Sequence, residues 1–155
     1  MADARLDHVG LAVADLGAEA SWFCEVFGLV RELALRVEPL DLSIEMLIHP
    51  GYGYRVELLH RPGSAAGGRP DTPAEAALRH GYGHVAFDVA DLEAAFDRAV
   101  ARGARPVMAP CPSPEPGVRM AFVTDPEGNL VELLHRPGLR GADHAWLRGA
   151  DGAGR

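Results

Sequence analysis

The stretch Val56-Glu57-Leu58-Leu59-His60-Arg61-Pro62-Gly63 recurs, residue for residue, as Val131-Glu132-Leu133-Leu134-His135-Arg136-Pro137-Gly138. An octapeptide identity inside a chain of 155 residues marks an internal duplication. It also places one carboxylate, Glu57 or Glu132, at the same point of each half. Both sit in short apolar runs of the kind that form buried strands. Upstream, Val13-Ala14-Asp15-Leu16 recurs as Val89-Ala90-Asp91-Leu92, so the duplication reaches back to the start of a helix.

Working outward, Leu6 to Val13 alternates: Val9, Leu11 and Val13 form one face, and Leu6, His8, Gly10 and Ala12 the other. The branched face predicts packing on a helix, and the small residues beside His8 leave space. Asp15 caps a helix to about Phe27, with Ala20, Phe23, Val26 and Phe27 on one stripe and Gly28 as its stop. Strands are predicted over 30–37, 42–48 and 54–60, with Gly51-Tyr52-Gly53 as the turn between the last two. Residues 61–73 read as an exposed linker, and Thr72-Pro73 opens a short helix through Arg79. In the second half, 84–89 alternates like the first strand. Asp91 then caps a helix bearing Ala95, Phe96, Ala99 and Val100. Strands follow over 105–108, 118–124 and 129–135, with Asp125-Pro126-Glu127-Gly128 as the last tight turn.

Each half is therefore strand, helix, three strands, which makes the chain α+β. The expected organisation is a first module over 1–63, a linker with a short helix over 64–80, a second module over 81–138, and a C-terminal tail over 139–155. The tail is expected to be ordered, if at all, by a partner subunit.

Composition narrows the function. Apolar residues make up 48% of the chain and the formal net charge is −7, with scattered arginines, which argues against nucleic-acid binding. No apolar run reaches the roughly 18–20 residues that a bilayer requires. The polar, acidic start Met1 to Asp7 lacks the features of a signal peptide, so a cytoplasmic protein is expected. Cys24 and Cys111 suggest no disulfide framework.

Aligning the halves pairs His8 with His84 and Glu57 with Glu132. All four lie on the face opposite the branched residues of their strands. Two histidines and two carboxylates at matched positions in apolar strands are costly to bury without a cation. Mixed nitrogen and oxygen donors suit one divalent ion among Ni, Co, Zn, Mn and Fe(II). His60 and His135 fall on the other parity and read as structural. Glu45 precedes Glu57 by the interval that separates Met120 from Glu132, so one half has a carboxylate where the other has a thioether.

These residues resemble the vicinal oxygen chelate superfamily, which includes glyoxalase I, methylmalonyl-CoA epimerase, extradiol dioxygenases and bleomycin and fosfomycin resistance proteins. The resemblance covers about residues 5–138. It rests on His8-Val9-Gly10-Leu11, Gly83-His84-Val85-Ala86-Phe87 and Asp125-Pro126-Glu127-Gly128-Asn129-Leu130-Val131-Glu132-Leu133. It implies two tandem βαβββ modules, with mixed sheets curled into a cleft around a metal held by His8, Glu57, His84 and Glu132. That ligand set is similar to the one of bacterial glyoxalase I. The long 57–84 connection and Ile44-Glu45-Met46-Leu47 resemble the epimerase instead. The implied activity is a metal-dependent isomerase or lyase, with proton transfer through an enediolate or enolate. Glu132 would be ligand and base, and Glu45 the opposing acid/base. The substrate would be a small molecule with vicinal oxygens or a thioester, and a homodimer is expected. The alternatives are a non-haem Fe(II) ring-cleaving dioxygenase and an antibiotic-binding resistance protein.

Overall fold

A computed structural model describes residues 4–137. The first module contains β1 (His8–Ala12), α1 (Leu16–Phe27), β2 (Val30–Val37), β3 (Leu42–Ile48) and β4 (Arg55–His60). A single 3-10 turn, Glu38–Leu40, joins β2 to β3. The short α2 (Pro73–Ala76) lies in the linker. The second module contains β5 (Val85–Asp88), α3 (Leu92–Ala101), β6 (Pro106–Pro112), β7 (Arg119–Thr124) and β8 (Leu130–His135). Residues 139–155, read above as a tail, lie outside the described residues.

Each module is a four-stranded mixed sheet, ordered β1-β4-β3-β2 in the first and β5-β8-β7-β6 in the second. β1 runs parallel to β4 and β5 parallel to β8, while the remaining neighbours are antiparallel. A parallel pair needs a crossover connection, and α1 and α3 begin those crossovers. Their N-caps match: the Asp15 side chain accepts from the Ala18 N–H, and that of Asp91 from the Ala94 N–H. Gly28 ends α1 in the left-handed region at φ 71°, where only a residue without a Cβ sits free of strain.

The duplicated alternation decides which face each strand buries. Leu47, Val56 and Leu58 of the first sheet, and Val123, Val131 and Leu133 of the second, join one core with Trp22, Phe23 and Val26 of α1 and with Leu92, Ala95 and Ala99 of α3. The modules meet through that core. Phe87 of β5 stacks on Phe27 at a centroid distance of 4.0 Å and lies 5.7 Å from Tyr54. The Arg98 Nε donates to the Val26 carbonyl at 2.9 Å.

Some boundaries differ from the sequence reading. β6 runs on to Pro112 through the Pro-rich segment, which is tolerated because it is an edge strand with register shifts. The linker helix stops at Ala76. Among the described residues, no helix is long and apolar enough to cross a membrane.

Candidate metal-binding half-sites

In a sheet, directly paired residues share a face. In the first module the row Gly10–Glu57–Met46–Leu33 crosses β1, β4, β3 and β2. In the second, the row Ala86–Glu132–Phe122–Met108 crosses β5, β8, β7 and β6. The two rows match, and both lie on the face away from the helices. Each places its glutamate one strand in from an edge strand, which His8 begins in the first module and His84 immediately precedes in the second. A Cβ added at Gly10 would lie 3.4 Å from Glu57 Oε2, so the small residue there keeps the carboxylate accessible.

The histidines join these carboxylates as two pairs. His8 Nε2 lies 3.5 Å from Glu57 Oε2, and His84 Nε2 lies 3.1 Å from Glu132 Oε2. The histidine side chains are 40% and 39% exposed and the glutamates 20% and 14%, so both pairs remain open to a ligand from outside. Within one chain the pairs do not merge: among the described residues, no group of three or more His, Cys, Asp and Glu side chains could hold a metal ion. The structure therefore brings His8 to Glu57 and His84 to Glu132, and keeps the two sets apart.

Asp7 joins the first of these candidate pairs, and the sequence reading passed over it. Its Oδ2 lies 3.0 Å from His8 Nδ1. The hydrogen bond from His8 is the main reason the Asp7 carboxyl is held below its usual range, and the nearby Arg55 adds to it. With Nδ1–H committed to Asp7, the lone pair of His8 falls on Nε2, the atom that faces Glu57. Arg55 also donates to both oxygens of Glu32, at 2.6 and 2.8 Å. The signal in the sequence was a carboxylate immediately before a candidate ligand histidine. On the other sheet, the His84 ring packs edge-on against Phe122 at 5.4 Å. The donor chemistry fits a divalent ion: each face offers one imidazole nitrogen with a carboxylate beside it, in the mixed set that suits borderline metals.

Glu45 is not brought to either pair. It faces Leu58, on the strand parity of Leu47, and is 8% exposed. It forms an ion pair with Arg31, whose guanidinium also lies against Gly17 and Ser21 of α1. Met46 is the β3 residue beside Glu57. The comparison of Glu45 with Met120 also changes, because the two hairpins differ by one residue. Residues 49–54 join β3 to β4, whereas 125–129 join β7 to β8. Glu45 pairs with Leu58 as Ala121 pairs with Leu133, and Met120 pairs with Leu134 on the open face. Ala121, not Met120, is the structural counterpart of Glu45. His60 and His135 each hydrogen-bond through Nδ1 to a backbone carbonyl, of Val13 and Val89 respectively, at 3.0 Å, which ties each β4-type strand to its module's first strand.

Two cavities lie where the modules meet. One of about 400 Å³ is bordered by His8 and His84 together with Phe23, Val56 and Val131. A larger groove of about 900 Å³ runs along Phe27, Tyr52, Tyr54 and Phe87 and touches neither His–Glu pair. The donor pairs lie on the open sheet faces, away from that larger groove.

A family model described as the Glyoxalase/Bleomycin resistance protein/Dioxygenase superfamily matches residues 5–133. A Synechocystis protein named probable lactoylglutathione lyase is 27% identical over 132 residues, covering 82% of this chain and 92% of its own. A Vibrio cholerae protein of the same name is 28% identical over 154 residues, covering 96% of this chain and all of its own. Among solved structures, a glyoxalase family protein from Bacillus cereus superposes with a TM-score of 0.70 at 27% identity, covering 87% of this chain and 97% of that one. Glyoxalase I from Zea mays superposes with a TM-score of 0.68 at 22% identity. The match covers 85% of this chain but 44% of the maize chain, so the present chain spans about half of it.

Proposed function

We propose that this chain, which belongs to the glyoxalase/bleomycin resistance protein/dioxygenase superfamily, is a divalent-metal-dependent lyase or isomerase of the glyoxalase I type whose site is assembled between two copies of the chain. The observation that carries the reading is the matched half-site on each open sheet face. His8 with Glu57 supplies one half of a four-donor set, and His84 with Glu132 supplies the other. A second copy, placing its second-module face over the first-module face of this chain, completes the set. The open face of the first sheet also exposes Leu33 and Leu35, 51% and 41% accessible, beside Met46. Apolar surface of that kind calls for a covering partner.

When bound, a divalent ion supplies Lewis-acid polarisation of two neighbouring substrate oxygens. The rest falls to side chains. Asp7 holds His8 in one tautomer, and Phe122 steadies the ring of His84. Met46, Leu33, Met108 and Phe122 flank the carboxylates with apolar surface and keep bulk water from the reacting carbon. Glu132 takes a carbon-bound proton and returns it to the neighbouring carbon, an isomerisation that requires no oxidant or reductant. Glu57 is the symmetry-related carboxylate on the opposite side of the assembled site. The names of the Synechocystis and Vibrio relatives favour a thiol adduct of a 2-oxoaldehyde as substrate. An epimerase with two opposed bases relied on Glu45, and the Arg31 ion pair beneath α1 removes that residue from the reacting centre.

Metal analysis of the purified protein, with and without chelation, tests the proposal. About one divalent ion per chain is expected, lost in His84→Ala and in Glu132→Ala, together with incorporation of solvent deuterium into the product of a hemithioacetal. Protein that takes up no metal after reconstitution overturns it.

A further inference from the structure

The two modules are also joined by carboxylates that the proposed chemistry does not use. Glu127, in the turn between β7 and β8, reaches across to the start of α1. Its carboxylate accepts from the Ala14 N–H at 2.7 and 2.9 Å and from the Asp15 N–H at 2.8 Å. In return, the Glu127 N–H donates to Glu19 Oε1 on α1 at 3.1 Å. Glu19 is fully buried, and its Oε2 has no hydrogen-bond partner. Asp125, 1% exposed, accepts from the Asn129 backbone and side-chain amides at 2.8 and 2.7 Å. The charged groups acting on Glu19 are Asp125 and Glu127 of the turn and Arg69 of the linker. Arg69 is itself drawn to Glu127, with Nη2 3.7 Å from Oε2.

An ionised carboxylate buried beside two others, with one oxygen unpartnered, carries a desolvation cost and like-charge repulsion. Protonation removes the repulsion and much of the desolvation cost, leaving only that of a neutral polar group. Burial pushes the Glu19 carboxyl up to about 8, with Asp125 and then Glu127 adding to the effect. Burial also raises Asp125, against the lowering effect of its Asn129 hydrogen bonds.

We infer that Glu19, Asp125 and Glu127 form a proton-dependent clamp between the modules, closed while Glu19 holds its proton and loosened when that proton leaves. The clamp has a direct line to both half-sites. Ala14 follows β1, the strand that begins at His8, and the turn holding Asp125 and Glu127 leads into β8, which carries Glu132. Closing the clamp fixes the two ligand strands of one chain relative to each other, and loosening it lets them separate. That consequence for the metal site rests on the reading above. The clamp itself is read on metal-free protein, so failure of one is separable from failure of the other.

The test is hydrogen exchange of the Ala14, Asp15 and Glu127 amides in the full chain without metal, corrected for intrinsic rate, between pH 6 and pH 8. Glu19 is bound to its proton more tightly in the closed form, so closure is strongest at low pH and weakens as pH rises. Protection of these amides should fall by roughly tenfold or more over that range, while amides at the centre of β4 change less. In Glu19→Gln, a neutral isostere, the protection should no longer vary with pH. Wild-type protection that is flat from pH 6 to pH 8, or an unchanged slope in Glu19→Gln, overturns the clamp. Should Glu19→Gln not fold, Asp125→Asn reads the same device. Removing a neighbouring negative charge moves the midpoint to lower pH, and an unmoved midpoint overturns the inference.

Discussion

Glu45→Gln separates a structural carboxylate from a catalytic one. Glu45 sits under α1 in an ion pair with Arg31, its side chain 11% exposed and that of Arg31 48% exposed. Exposed pairs contribute about 0–1 kcal/mol, while breaking a fully buried pair costs about 3–5 kcal/mol. With one partner half in water, and an amide that still accepts from the guanidinium, the loss should be about 1–2 kcal/mol. For a domain of this size that lowers Tm by roughly 3–6 °C. Turnover per folded molecule should hold, because Glu45 lies on the opposite face of β3 from Met46 and its neighbour Glu57. The assay pairs a thermal melt with solvent-deuterium incorporation in the same preparation. Glu132→Gln should give the reverse pattern, with little change in the Tm of the metal-free protein and a drop of about 10²–10⁴-fold in proton transfer by the metal-loaded protein. A Glu45→Gln protein that melts with the wild type yet loses proton transfer by more than about 100-fold would refute the placement of Glu45 outside the site.

Other expectations follow from the same geometry. Asp7→Ala should weaken metal affinity by about 10–100-fold, measured by chelator competition, because it removes the acceptor that fixes His8. Phe87→Ala, which removes a ring stacked on Phe27 and touching Tyr54, should cost about 3–5 kcal/mol in denaturant melts. Stability should fall as pH rises from about 4.5 towards 8, the ordinary and buried values for Glu19. The sign follows from a raised folded-state value: the contribution is complete below the lower figure and gone above the upper one. The difference has an upper bound of about 5 kcal/mol, and Glu19→Gln should remove this slope from melts taken across the range.

The duplication was legible because strands and helix caps are local. Val-Glu-Leu-Leu alternates, Asp15 and Asp91 cap, and the fold needs little else. That His8, Glu57, His84 and Glu132 occupy matched strand positions was legible for the same reason. The sequence reading set all four around one metal, however, and their contacts as His8 with Glu57 and His84 with Glu132 came only from the fold. Glu45 shows where such reading stops. Its parity relative to Leu47 was plain, but which face of β3 opens to the site depends on register. A turn one residue shorter in the second half moves the comparison to the other face. Counting back from Glu132 therefore landed on Met120, when the register selects Ala121. Glu127 was visible only as part of a tight turn. Its reach to Ala14 and Asp15 depends on how the modules dock, which no local pattern encodes. The same holds for the separation of the two half-sites: symmetry supplied the matched donors, and module packing decided that one chain alone does not gather them.

A complementation experiment tests the inter-copy site most directly. One variant carries His8→Ala with Glu57→Ala, and a second carries His84→Ala with Glu132→Ala. Neither alone should hold metal above background. Mixed as unfolded chains in equal amounts and refolded together, half of the pairs are mixed, and each mixed pair has one intact site. Metal content and turnover should then recover to about a quarter of the wild-type level per chain. A mixture that stays at the level of the separate variants would contradict a site built from two copies.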